Sequence, residues 1–175
     1  TPWHQDQPYY FVDGRQSVSF WIPLDPVPRD VVMECIKGSH GWGKGFRPMR
    51  FDGTRLYAND DFEVMPDIEA MRDTLDIAAW SLKPGDAIAF SFRTVHGAPA
   101  NTSAGMRRVF SARWVGDDAV YARRAGRTSP LSVMRTVAPP GTGSTRRCRS
   151  TKCILGRGNA RLAGGCSAIW NWPIS

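Results

Sequence analysis

The sequence lacks most of the features that assign a protein quickly. No apolar run approaches the ~18 residues a membrane-spanning helix needs, and no charged-then-apolar leader opens the chain. Thr1 stands where an initiator Met is expected, so the chain reads as a fragment whose true N-terminus is missing. Histidine is scarce: His4, His40 and His96 are the only three. The four cysteines, Cys35, Cys148, Cys153 and Cys166, form no CxxC pair, and the last three have no histidine near them, which argues against a structural zinc site. Thiols scattered without a framework fit a reducing compartment, so a cytoplasmic location is expected. Acidic residues are absent from residues 138–175, where Arg146, Arg147, Arg149, Lys152, Arg157 and Arg161 account for nearly all of the +7 formal charge. A phosphate binder would carry its basic stripe on a folded face. Here the body is nearly neutral and the charge is an appendage, which disfavours a nucleic-acid partner.

What is present is a globular composition, 42% hydrophobic and 11% aromatic, in a length that suits one domain. Short alternating runs bounded by Pro and Gly recur. QSVSFWIPL places Val18, Phe20, Ile22 and Leu24 on one face, and VVMECIKGSH, IAAWSL, AIAFSFRTVH and RRVFSARWV follow the same style. Only DIEAMRDTL, residues 67–75, has the look of a short helix. The stretch from GKGFRPMRFDG to DDFEVMPD is polar, aromatic and rich in turn formers, and reads as a long excursion of the kind that covers sites. Such a pattern predicts an all-β architecture, a barrel or jelly roll with a minor helix, over residues 1–137. Residues 138–175 form a basic Gly-, Arg- and Ser-rich tail with no period, expected to be poorly ordered.

His4 and Asp6 are two residues apart, so in extended chain both side chains point to one face and can reach a common cation. A third ligand must come from elsewhere. His40 ends the turn KGSH, where bonding to local backbone is the expected role. His96 shares its strand face with Ile88, Phe90, Phe92 and Thr94, which points it inward. Alone it would read as a satisfied core histidine. With His4 and Asp6 it completes two imidazoles and a carboxylate, the facial triad of non-haem iron(II) oxygenases. An oxygenase of this kind needs a co-substrate that delivers electrons. A dicarboxylate bound to the metal by one end would need a fixed cation for the other, and Arg107 or Arg108 qualifies. Alternation does not choose: Arg107 shares a face with Val109, Ser111 and Arg113, and Arg108 with Phe110 and Trp114.

WHQDQPYY, SFWIPLDPV, ECIKGSHGWG and above all WSLKPGDAIAF followed by VHGAPAN and RR carry a resemblance to a known family. From Thr1 to about Pro130 the sequence resembles the phytanoyl-CoA dioxygenase family of iron(II)- and 2-oxoglutarate-dependent oxygenases. The resemblance implies a double-stranded β-helix, a jelly-roll or cupin-like barrel with the metal at one mouth, here N-terminally truncated. It implies that His4, Asp6 and His96 are the Fe(II) ligands and catalytic residues. It selects Arg107, eleven positions after His96, as the anchor of 2-oxoglutarate. The implied reaction is O2-dependent hydroxylation of an unactivated C–H bond in a small-molecule or acyl substrate, with release of succinate and CO2. Asp6 favours hydroxylation, since related halogenases have a small residue in its place. The tail departs from the apolar closing segment of family members. The rival reading is a non-oxygenase cupin-like metal-binding barrel, which would have no need of a buried cation at Arg107. Trp3, Tyr9, Tyr10, Trp21 and Trp42 are candidates to line a substrate pocket, although strand aromatics more often form core.

Overall fold

Each alternating run becomes a strand wherever its β-branched and aromatic residues can pair before a Gly or Pro turn interrupts them. The computed structural model describes residues 1–50, 52–58, 60–102, 104–128 and the strand at 167–171. Its strands are β1 (Val12–Asp13), β2 (Ser17–Pro23), β3 (Glu34–Ile36), β4 (Ile77–Ala78), β5 (Ile88–Phe90), β6 (His96–Gly97), β7 (Val109–Val115), β8 (Val120–Tyr121) and β9 (Ser167–Asn171). The largest sheet has the order β5-β2-β7-β9, a second has β4-β3-β6, and β1 pairs with β8. All pairings are antiparallel.

The two larger sheets meet over a core to which the second sheet contributes Cys35, the first contributes Ile88 and Phe90, and the 27–33 connection contributes Val27, Val31, Val32 and Met33. Ile36, Phe46, Ile68 and Val95 form a second cluster with Trp3 packed on it. Tyr10, Phe11, Val12, Phe92, Val115 and Ala119 form a third. The all-β expectation holds, but the described strands do not close into a barrel: β4 and β5 stand at the ends of their sheets.

Two local expectations are corrected. The helix over 67–75 is a turn followed by a 3-10 helix, Arg72–Thr74. Met71 N–H is shared between Asp67 O and Ile68 O, and the Asp67 carboxylate takes up Ala70 N–H, so the segment stays in tight turns. The run AIAFSFRTVH is two strands rather than one, broken by the turn that Thr94 N–H closes on Ser91 O. Its inward face survives the break, since Ile88, Phe90, Phe92, Thr94 and His96 are all buried. The face of β2 that carries Val18, Phe20 and Ile22 is only partly buried, Leu24 just beyond it is 54% exposed, and Ser19 on the opposite face is sealed at 0%.

The tail from residue 138 lies outside the described residues except for β9, which pairs with β7 from Ser111↔Asn171 to Val115↔Ser167. Among the described residues no helix is long and apolar enough to cross a membrane.

Candidate metal centre

The segment Thr1–His4 runs antiparallel to β6 and its continuation. Thr1 and Ala98 exchange backbone hydrogen bonds, and so do His4 and His96, each N–H donating to the other's carbonyl at 2.9 Å. Residues directly opposite in such a pair present their side chains on the same face. The two imidazoles therefore lie 4.2 Å apart, centroid to centroid. Gly97 permits the approach, because a Cβ there would come within 3.1 Å of the Trp3 ring. Asp6 has left the extended conformation, with αR backbone angles at the start of the 3-10 helix Gln7–Tyr9, and its carboxylate still reaches the same face. Asp6 Oδ1 is 3.7 Å from His4 Nε2 and 3.8 Å from His96 Nε2. One ligand atom from each of His4, Asp6 and His96 lies within 4.8 Å of the others.

The tautomers follow from the hydrogen bonds. His4 Nδ1 donates to Pro2 O and His96 Nδ1 to Thr94 O, both at 2.9 Å, which leaves both Nε2 lone pairs facing Asp6. Burial, reinforced by His4, holds His96 down to about 3, against an opposing pull from Asp6. Burial also lowers His4, again partly opposed by Asp6. For Asp6 burial acts upward, but Arg113, then His96 and His4, and the Ser19 hydroxyl outweigh it and bring the carboxyl to about 2. Near neutral pH the cluster is thus two neutral imidazoles and one carboxylate, the protonation state in which all three donate to a metal. The donor set suits iron(II) and carries no thiolate that would select a softer ion.

Asp6 is held by the larger sheet. β2 places Ser19 opposite Phe90 on one side and Arg113 on the other. Ser19 Oγ donates to Asp6 Oδ2, and Arg113 Nη2 lies 3.2 Å from the same oxygen. Phe90 packs its ring 4.4 Å from that of His96. Strand alternation puts Arg113 on the face of Arg107, but nothing in the sequence says that β2 lies beside β7 in this register, so the sequence alone does not mark Arg113 or Ser19.

Arg107 sits apart from this contact. Its Nη1 donates to Val31 O and to Pro99 O, and among the described residues it makes no ion pair. Arg108 is exposed and bonded through Nε and Nη2 to Asp25. His40 is exposed in the 3-10 helix Ser39–Gly41 and outside the cluster. The excursion packs against the ligand segment: Gln5, between His4 and Asp6, donates to Lys44 O and Arg93 O and accepts from Phe46 N–H. Tyr57 Oη donates to Pro8 O, and Tyr9 Oη bonds Met49 backbone. Of the pocket-lining candidates, Trp3 donates to Glu69, Tyr10 is core, Trp21 packs on core and Trp42 meets Phe46 edge to face.

Comparison with known proteins gives a family match and similar folds. The family model of phytanoyl-CoA dioxygenase matches residues 1–109. Among solved structures, the chain is similar to the non-heme alpha ketoglutarate dependent carbocyclase SnoK from nogalamycin biosynthesis, at 26% identity and TM-score 0.51 over 72% of this chain and 46% of that one. The epimerase SnoN from the same biosynthesis is similar in fold, at 22% identity and TM-score 0.54 over 83% of this chain and 53% of that one. SnoN in complex with Fe3+, alpha ketoglutarate and nogalamycin RO matches at 23% identity and TM-score 0.53, over 94% of this chain and 54% of that one. The chain spans about half the length of these structures. A search of curated proteins returned no match.

Proposed function

The chain belongs to the phytanoyl-CoA dioxygenase family, and from that premise we propose that it is an iron(II)- and 2-oxoglutarate-dependent dioxygenase that hydroxylates an unactivated C–H bond of a small-molecule or acyl substrate. The observation that carries this reading is the His4–Asp6–His96 cluster, with both Nε2 atoms and Oδ1 turned toward one another. His4, Asp6 and His96 hold Fe(II). Bound together, iron(II) and 2-oxoglutarate would supply the electrons that activate O2, with 2-oxoglutarate converted to succinate and CO2. Arg107 holds the far carboxylate of 2-oxoglutarate. Its charge is uncommitted to any described carboxylate, whereas that of Arg108 is committed to Asp25. Residues 1–137 carry all four of these groups, with the basic tail beyond them. SnoK is a carbocyclase and SnoN an epimerase, so a product assay should score ring closure and inversion beside gain of oxygen.

The test is anaerobic titration of the chain with Fe(II), then with 2-oxoglutarate, followed by the charge-transfer absorption of the chelate. One iron per chain is expected, lost in His4→Ala and His96→Ala and kept in His40→Ala. Arg107→Ala should keep iron and weaken 2-oxoglutarate binding by two to three orders of magnitude, about 3–4 kcal/mol. Arg107→Lys should recover part, and Arg108→Ala should bind as the wild type does. Iron bound without any absorption on adding 2-oxoglutarate would favour the cupin-like metal protein.

A further inference from the structure

Asp6 offers its two oxygens to different neighbours. Oδ1 faces the two Nε2 atoms, at 3.7 and 3.8 Å, and accepts a long hydrogen bond from Arg113 Nη2 at 3.5 Å. Oδ2 receives the Ser19 hydroxyl and has Arg113 Nη2 at 3.2 Å. Both holders arrive by register, since Ser19 on β2 is the direct partner of Arg113 on β7 and the two share the buried face. Arg113 is itself braced: Nη1 donates to Ser111 Oγ and the guanidinium lies 5.7 Å from the centre of the Tyr10 ring. Its Nε is buried with no hydrogen-bond partner. A buried guanidinium with an unsatisfied N–H is a poor device for stability, because apolar replacements of buried ion pairs are often as stable or more so. Its placement calls for another role.

We propose that Ser19 and Arg113 are positioning residues for Asp6, Ser19 by its hydrogen bond to Oδ2 and Arg113 by its charge beside that oxygen, so that Asp6 serves a metal through Oδ1 alone. The inference rests on the metal-site reading above and specifies how that site is kept open. Three protein donors would leave a bound ion open positions for a chelating co-substrate. An Asp6 that bound through both oxygens would close one. Ser19 keeps it free by donating a hydrogen bond to the second oxygen, and Arg113 Nη2 reinforces it as an ion-pair partner 3.2 Å from that oxygen.

Co(II) is the probe, added to the whole chain labelled with 13C at the aspartate carboxyl carbons. Difference infrared spectra on metal addition give the separation of the antisymmetric and symmetric carboxylate stretches, wide for a one-oxygen ligand and narrow for a chelating one. Bands missing in Asp6→Asn are those of Asp6. The wild type should bind one Co(II) with a wide separation. Ser19→Ala and Arg113→Met should bind about 10–100-fold more weakly, with the separation narrowed. Arg113→Lys, which returns a charge but not the fork, should recover part of both. Should Arg113→Met fail to fold, Ser19→Ala, which removes a single oxygen, carries the test. Unchanged affinity and separation in the variants would overturn the inference and leave the metal site standing. A wild type that takes up no Co(II) through these ligands would overturn both.

Discussion

Gln5 shows how much one side chain between two ligands can decide. It is 2% exposed, and its amide satisfies two carbonyls and one N–H from the excursion and from the turn before β6. Gln5→Ala strands those groups in the interior and should destabilise the chain by about 1–3 kcal/mol. Gln5→Glu should not rescue it, because a carboxylate can accept from Phe46 N–H but cannot donate to Lys44 O or Arg93 O. Urea denaturation measures both. At this scale the triad is legible in the sequence: histidine is scarce, and spacing plus burial leave His4 and His96 as the pair. Ser19 is not legible, because a serine among Val18, Phe20 and Ile22 reads as the outer residue of a strand. The strand instead buries Ser19 at 0%, where its hydroxyl meets a carboxylate that has to be held.

Among elements, β2, β3, β4, β5 and β7 fall within the alternating runs, most of them shorter than the run, and the helix does not form. The 67–75 segment buries Ile68 but leaves the residues of its 3-10 helix out of the core, so no apolar stripe holds a longer helix together. Register between distant strands, as for β2 beside β7, is a tertiary quantity that alternation cannot supply. The chain after Asp6 is fixed by Arg124, which donates to Tyr10 O at 2.8 Å, to Gln7 O at 3.2 Å and to both oxygens of Asp13. Burial raises the Asp13 carboxyl, but hydrogen bonds from Arg124 and Gln7 lower it below its ordinary 3.8. Arg124→Met should lower stability by about 2 kcal/mol at pH 7, a value discounted for the exposure of Asp13. A depressed carboxyl contributes stability above its unfolded value and loses it as pH falls through the folded one. The gap between variant and wild type should therefore hold from pH 7 down to about 4 and narrow below the ordinary 3.8. Denaturation midpoints of both proteins at pH 7 and pH 3 check the sign.

Across the whole molecule the candidate site lies between two cross-strand rows. Ala78, Cys35, His96 and His4 run along one sheet and its bridge, and Phe90, Ser19 and Arg113 along the other. A metal held by His4, His96 and Asp6 would tie one sheet to the other through the carboxylate. Saturation at a hundred times Kd should raise stability by about 2.7 kcal/mol, and a chelator should reverse it. A thermal melt with Co(II), without it, and with excess chelator reads this directly and needs no substrate. The reciprocal backbone pair between His4 and His96 adds a kinetic side. A slip of one residue along that pair would turn His4 to the opposite face and leave it unable to share an ion with His96. Metal would then bind only chains assembled in register, acting as a proofreader of strand alignment during folding. Refolding with the ion present should raise the yield of native protein over refolding without it, even where the two products, once freed of metal, melt alike.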